Sequence, residues 1–466
     1  MHKKIHFFLL KLFLIHVACV SSVNLRATII DVATQADATE TNATRALPKK
    51  HMTFIVFIAA DNDLSYFSWH NIEQMKKIGS NQHINIVVQI NSPGATTPTR
   101  RFYIHRDSME LVSPLAGELP QKLNSGSPQT LIDCVQWAAH NYPAEHYALI
   151  LWDHGTGILD PGRYRTINTN DLFFKNPESN KYEIDRNGGF IEILAQQLTN
   201  KNKRAVCFDD TFQSYISNQE MGFALKEIHH NVLKKPLDII GFDACLMGMV
   251  EIASIVKDNA TFMVSSQEIE YGYGCNYTKM LRPFQEAALN PKEFAQHMVR
   301  AYDEEYRPIA NDFTQSAFDL SVTTALEENI NNVAQLLSML FIEAKSKNIK
   351  NLVKLCKSPQ YCTCFDEPSY IDLGHFYKNL IKYLPHVQLN NQDQGKIFLE
   401  RLYKHLQEGV DIIDQLVIQN TAGNGLKNAH GVSIYFPEYR ISGSYLQSNF
   451  GSNNAWSSFL NLYLMS

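Results

Sequence analysis

"LDIIGFDACLMGM", residues 237–249, is the stretch on which the fold turns. A continuous apolar run stops at Asp243, a cysteine stands two residues on, and an apolar, helix-like pattern covers 246–257. A run apolar at successive positions suits a strand covered on both faces, as in a parallel sheet. A strand handing over to a helix puts the residues between them at its carboxyl end, where open α/β sheets gather ligands. Cys245 is then expected near a helix N-terminus, whose macrodipole favours a thiolate.

The neighbouring sequence repeats the theme. "MTFIVFIAADND" (52–63), "INIVVQIN" (84–91), "YALILWDHG" (147–155) and "TFMVSSQE" (261–268) are further apolar runs. Helix-like stretches at 65–78, 128–141, 217–231 and 246–257 separate most of them. Alternation of this kind predicts an α/β fold: a mostly parallel sheet flanked by helices, over 51–290. "RFYIHRDSMELV" (101–112) reads as a hairpin at the sheet edge. Residues 156–204 carry short apolar stretches only and read as an exposed insertion. From 291 to 466 the pattern is helix-rich, with helices expected at 292–307, 325–347, 369–383 and 394–410. Two strand-like runs, 411–420 and 431–438, close this C-terminal extension, which is expected to pack on the first domain.

The chain has 466 residues, 45% of them hydrophobic, enough for a sizeable core. Its formal net charge of -5 and the lack of a basic, aromatic-interleaved stripe argue against nucleic acid as a partner. "MHKKIHFFLLKLFLIHVACVSS" (1–22) has the lysines, apolar run and small residues of a secretory signal peptide. His16 and Val17 fit poorly the box that precedes a lipoprotein cysteine, so a lipid anchor on Cys19 is the lesser alternative. Lys11 and His16 interrupt the run, and no later segment reads as a membrane span. Residues 23–50 read as a linker or pro-segment, and the mature chain is expected outside the cytoplasm, extracellular or periplasmic. Seven of the eight cysteines follow the leader, an odd count that leaves a thiol unpaired. Cys275, Cys356, Cys362 and Cys364 do not have the spacing of a common structural zinc frame.

Two expected strands end in reactive side chains: His154 in "ILWDHGTG" (150–157) and Cys245 in "IGFDAC" (240–245). If those strands are neighbours, thiol and imidazole share one rim, the pairing that a cysteine nucleophile needs. Gly155 has no side chain, so its N–H can approach a substrate oxyanion. Taken singly, each residue has a plainer explanation, a small core cysteine or a structural histidine; together at two strand ends they point to acyl transfer.

"DHGTG" (153–157) and "DACLMGMVEIA" (243–253) resemble the His-Gly and Ala-Cys motifs of the clostripain family of cysteine peptidases. That family shares the caspase–haemoglobinase fold. "AADNDL" (59–64), "NIVVQIN" (85–91), "SSQEIEYGYGCNY" (265–277) and "GVSIYFP" (431–437) resemble family stretches in the same order, so the resemblance covers roughly 52–465. It implies a cysteine endopeptidase acting on protein or peptide substrates. Cys245 would be the nucleophile, His154 the proton donor to the departing amine, and the N–H groups of Gly155 and Cys245 the oxyanion hole. Acyl transfer by a thiolate needs no metal and no cofactor. Some members need calcium, but "ADND" (60–63) lacks the full pattern of a calcium loop. Asp61 and Asp63 are instead expected to cap the helix that starts near Leu64.

For specificity, Asp243 matches an acidic position of members that cut after Arg or Lys. The second acidic position falls in "YGYGCNY" (271–277), where Tyr273 replaces the acid and Cys275 the aromatic. Glu268 or Glu270 could compensate, so Asp243, Glu268 and Tyr273 are the candidates for the pocket of the residue before the cut. Members are often cleaved between the His and the Cys. The 156–204 insertion, with Arg163, Arg165, Lys175, Lys181, Arg186, Lys201, Lys203 and Arg204, suits self-cleavage. Asp153 is expected to face away from its neighbour His154, since adjacent strand residues point to opposite faces. Asp209 and Asp210, and the pair His229 and His230, read as rim or surface groups. Two other readings stay open: a peptidase-like fold that binds or adheres without cleaving, and an amidase or transpeptidase of similar chemistry.

Overall fold

All of residues 52–59 are buried, yet their side chains part to two cores. Phe54, Val56 and Ile58 join Ile72 and Met75 of the helix Ser65–Lys76, while Ile55, Phe57 and Ala59 join Leu131 and Val135 of the helix Pro128–Asn141. A strand apolar on both faces must lie inside a sheet with helices on each side, and each such buried side chain contributes about 1.5–3 kcal/mol. The computed structural model describes residues 49–114, 117–159, 172–186, 205–344, 347–387 and 392–465. The chain divides at Ala46 and Leu47 into two units, and the described residues all belong to the second.

In chain order the strands are β1 (Lys50–Ala59), β2 (Ile84–Asn91), β3 (Arg100–His105), β4 (Ser108–Ser113), β5 (Ala144–Trp152), β6 (Phe173–Lys175), β7 (Tyr182–Ile184), β8 (Ala205–Asp209) and β9 (Ser214–Ser217). They continue as β10 (Leu237–Asp243), β11 (Ala260–Ser265), β12 (Thr314–Asp319), β13 (Tyr370–Asp372), β14 (Val417–Ala422) and β15 (Ser433–Tyr435). Nine of them form one sheet in the order β14-β12-β11-β10-β5-β1-β2-β3-β4. Its five central strands are parallel, as the apolar runs predict. The β3–β4 hairpin closes one edge, and β12 and β14 run antiparallel at the other. From β1 the chain steps one way to β2 and later returns to the other side of β1 as β5. That reversal is a topological switch point, where α/β sheets open a crevice at their carboxyl ends.

The C-terminal residues contribute to the same sheet through β12 and β14, and they also brace the loops beyond β5 and β10. Tyr370 Oη donates to Thr156 O at 2.7 Å and accepts from Leu159 N at 2.9 Å. Ser433 N donates to Gly248 O at 2.9 Å, and Tyr435 N to the buried Glu251 Oε1 at 2.9 Å. Trp456, fully buried, ties the last helix to β15 by donating to Tyr435 O at 2.9 Å.

Several local expectations are corrected. Residues 411–416 are not strand: a helix runs from Gln392 to Leu416, and β14 begins at Val417. Leu402, Leu406, Ile413 and Leu416 keep a helical spacing of buried positions through "DIIDQL". Tyr370–Asp372 is strand, so the helix expected from 369 starts at Leu373. The helix expected from 246 starts at Val250 and is only seven residues long. Leu246 takes a left-handed φ of 64°, which breaks the chain out of any helix there. Of the 156–204 insertion, residues 160–171 and 187–204 lie outside the described residues, with Arg163, Arg165, Lys201, Lys203 and Arg204 among them. Within it, β6 and β7 form an antiparallel hairpin.

Candidate active site

β5 and β10 are neighbours, and their register pairs Trp152 with Asp243. His154 and Cys245 each stand two residues beyond that pair, so they leave the sheet side by side. Gly155 is what lets the two ends close up. A Cβ there would come 2.5 Å from Cys245 O and 3.1 Å from Ala244 Cβ. His154 and Cys245 line a single narrow cleft together with Leu64, Trp152, Asp243 and Glu270.

The cysteine turn is held by the loop after β11. Leu246 N donates to Glu268 O at 3.2 Å, Gly248 N to Ser266 O at 2.7 Å, and Glu270 N to Cys245 Sγ at 3.2 Å. Cys245 is 7% exposed. Burial pushes its thiol well up; the Glu270 N–H pulls it down, and the charges of Glu270, Asp366 and Glu268 push it further up. The expected help from a helix macrodipole does not reach it, because that helix starts five residues later and the field fades within a turn.

His154 has a partner that its sequence neighbourhood does not advertise. Its Nε2 lies 2.8 Å from Asp63 Oδ1, in the loop after β1. Burial acts to lower the imidazole's pKa, but the adjacent Asp63 charge and hydrogen bond outweigh it and the net shift is upward. The switch point explains the meeting, since β1 and β5 are adjacent and their carboxyl ends share the crevice. This corrects the capping role expected for Asp61 and Asp63. The helix Ser65–Lys76 has no side-chain cap at Leu64. Asp61 instead pairs with Lys122 at 2.7 Å, and Asn62 Oδ1 accepts from Leu64 N at 3.0 Å. Asp153 lines the cleft together with His154, contrary to the expectation that it faces away, and its carboxylate accepts from Asn62 Nδ2 at 2.7 Å and from Phe208 N. Asp210 lies close enough to Asp63, Asp61 and His154 to feel all three, and burial first, then those carboxylates, raise it to about 7. Asp209 is fully buried and accepts from Ser125 N and Oγ. His229 and His230 stack on each other in the 228–233 turn.

Of the acids named for specificity, the structure brings Asp243 to the cleft. Asp243 Oδ1 accepts from Cys275 N at 2.9 Å, and Oδ2 from Tyr277 Oη at 2.7 Å. Glu270, not Glu268, stands beside it. Burial pushes the Glu270 carboxyl well up, and the Asp243 charge pushes it further. Glu270 is buried and shares a side-chain hydrogen bond with Asp243. Glu268 is fully buried on the far side of the loop, where it pairs with Arg186 at 2.9 Å and accepts from Ile269 N and Asp366 N, both at 2.9 Å. Tyr273 is 48% exposed and packs edge-on against Phe67 and His70 at 5.0 Å each. Glu268 and Tyr273 therefore do not line the cleft. All seven described cysteines are free thiols.

Fold and site together define a class: an α/β sheet carrying a thiol and an imidazole side by side at its carboxyl edge. The chain belongs to the clostripain family of cysteine peptidases, whose profile matches residues 56–172 and 193–462. Clostripain of Hathewaya histolytica is 22% identical over 253 residues, 49% of this chain and 41% of that protein, so the chain matches about two fifths of that relative's length. A secreted C11 cysteine protease from Bacteroides thetaiotaomicron, solved with an irreversible peptide inhibitor, matches 88% of this chain and 99% of its own. That match has 17% identity and a TM-score of 0.54. An inactive zymogen C11 protease from Parabacteroides distasonis matches 89% of this chain and 99% of its own at 15% identity, with a TM-score of 0.53. At such identities the likeness bears on the fold alone. No helix among the described residues is long and apolar enough to cross a membrane.

Proposed function

We propose that the protein is an exported cysteine endopeptidase that cleaves after Arg or Lys through Cys245 and His154. The observation that carries this reading is the shared cleft, lined by the thiol, the imidazole and the carboxyls of Asp243 and Glu270. Burial favours the neutral thiol, and the Asp63 charge favours the protonated imidazole. A guanidinium or ammonium entering beside Asp243 and Glu270 pairs with their buried carboxyls. The same positive charge offsets the carboxylates that hold the thiol proton, so a cationic substrate assists its own attack. The thiol proton leaves to solvent, the thiolate adds to the carbonyl, and the backbone N–H groups of Gly155 and Cys245 receive the oxyanion. With Nε2 given to Asp63, Nδ1 of His154 protonates the departing amine. The neutral imidazole then takes a proton from the water that hydrolyses the acyl-enzyme. A peptide library profiled with the purified protein tests the reading: cuts confined to bonds after Arg or Lys support it, and no preference for a cation refutes the specificity.

Asp63 acts in this scheme as a positioning residue. Asp63→Asn is expected to lower kcat/KM about tenfold or more, a share of what general acid catalysis supplies. It should also move the alkaline limb of the pH profile toward lower pH. The sign follows from the structure: Asp63 raises the His154 pKa, the active form is the imidazolium, and neutralising Asp63 lets the proton go earlier. A pH profile unchanged in this variant would mean that Asp63 only fills space.

Self-cleavage within 156–204 belongs to the same proposal. Arg186 ties this segment to Glu268, two residues before the Glu270 whose N–H donates to Cys245 Sγ. The wild type is expected to mature into two chains on storage, and Cys245→Ala to stay one chain by denaturing electrophoresis. Two single chains would end the idea.

A further inference from the structure

At the opposite end of the sheet, where the parallel strands begin, three side chains converge that the proposed chemistry does not use. His51 is the second residue of β1, and Glu145 and His146 follow the first residue of β5. The β1–β5 register sets Met52 against His146. One ligand atom from each of His51, Glu145 and His146 lies within 4.8 Å of the others. Two imidazoles and a carboxylate are the donor set of a late first-row divalent cation.

The outer contacts support a ligand role rather than a chance cluster. His51 Nε2 bonds the Leu289 carbonyl at 2.8 Å, which protonates that nitrogen and leaves the lone pair on Nδ1. His51 Nδ1 lies 3.4 Å from Glu145 Oε2. His146 Nδ1 bonds Asp238 Oδ1 at 2.7 Å, so its lone pair falls on Nε2. A metal-bound histidine characteristically gives its other nitrogen to a carboxylate or backbone carbonyl, and here each histidine has one. Lys235 holds the second Asp238 oxygen at 3.0 Å and also bonds Glu145 O, so the acid behind His146 is fixed. With neutral imidazoles, the charges of Glu145, Asp238 and Lys235 sum to one negative charge, which favours a cation. The two histidines are half-buried and Glu145 is exposed, so an ion has a way in and water can fill a fourth position.

We propose that His51, His146 and Glu145 bind a Zn²⁺-class cation that clips the starts of β1 and β5 together, with Asp238 and Leu289 orienting the ligands. Calcium does not fit, since it demands six or more oxygen donors. The test is Zn²⁺ titration of the full chain by calorimetry and thermal unfolding, in Cys245→Ala so that the cleft thiol cannot hold the ion. One equivalent is expected to bind and raise Tm, with Ca²⁺ giving neither effect. Glu145→Gln and His146→Ala should abolish that equivalent, and Asp238→Asn should weaken it about 10- to 100-fold. Glu145→Gln alters only an exposed group, so its metal-free Tm should match the parent and the comparison survives any folding defect in His146→Ala. Zn²⁺ binding unchanged in Glu145→Gln and His146→Ala, or no Zn²⁺ binding at all, overturns the proposal.

Discussion

Cys245→Ala is expected to lose about 10⁴-fold or more in kcat/KM, while remaining folded. Removal of a nucleophile leaves only the oxyanion donors and substrate binding, and the members of such a unit do not act additively. The fold should tolerate the change. Sγ accepts one hydrogen bond, from Glu270 N, and the turn around it is held by backbone bonds to Ser266 and Glu268 that alanine leaves in place. A cost of about 1–3 kcal/mol for the orphaned Glu270 N–H is the expected penalty. Cys245→Ser keeps an acceptor for that N–H and separates the two effects: it should recover the stability and remain inactive. Steady-state kinetics on an Arg- or Lys-containing peptide, with Tm measured beside it, checks both arms. Residual activity within tenfold of wild type in Cys245→Ala would remove the nucleophile assignment.

The second large effect is expected at the acid pair. Asp243→Asn should lower kcat/KM for substrates with Arg or Lys before the cut by about 100-fold or more, the loss typical when one partner of a buried charge pair is truncated. Asparagine retains an acceptor for Cys275 N or Tyr277 Oη, so the wall of the cleft keeps its shape. Glu270→Gln should cost less, about tenfold, because Asp243 keeps its charge. In both variants peptides with a neutral residue at that position should gain relative to cationic ones. Burial of both carboxyls, and for Glu270 also the charge and hydrogen bond of Asp243, give a direction with pH. Their pKa values are raised on folding, so ionising them costs stability that is present at low pH and falls away as pH rises through the raised values. Both substitutions should flatten that loss. A specificity profile identical to wild type in both variants would place the pocket elsewhere.

The central sheet was legible because β1, β5, β10 and β11 are apolar on both faces, a pattern that exposed strands cannot carry, whereas β2 carries the buried amides of Asn85, Gln89 and Asn91 on its second face. The positions of His154 and Cys245 at the ends of β5 and β10 follow from the same reading. Their adjacency did not, since strand order and the Trp152–Asp243 register depend on crossovers that periodicity leaves open. Asp63 reads as a cap in the sequence because it lies just ahead of a helix and 91 residues before His154. Only the topology, with β5 returning beside β1, makes it a neighbour of the imidazole. Glu268 and Glu270 are two residues apart on an irregular loop, where no period says which side faces the cleft. Arg186 and the Asp366 N–H, both remote in sequence, hold Glu268 on the far side. The apolar "LMGM" suggests a longer helix than the one at Val250, but the left-handed Leu246 and the bonds Gly248 N to Ser266 O and Ser433 N to Gly248 O hold that stretch out of the helix.

Covalent capture decides the central claim most directly. Wild type, Cys245→Ala and His154→Ala would be treated with a peptidyl acyloxymethyl ketone carrying lysine at its reactive end, and the adduct mapped by peptide mass spectrometry. One adduct on the Cys245 peptide is expected in the wild type, none in Cys245→Ala, and a strongly slowed one in His154→Ala. A wild type that stays unlabelled while cleaving peptides, or label that falls on another thiol and survives in Cys245→Ala, would contradict the account.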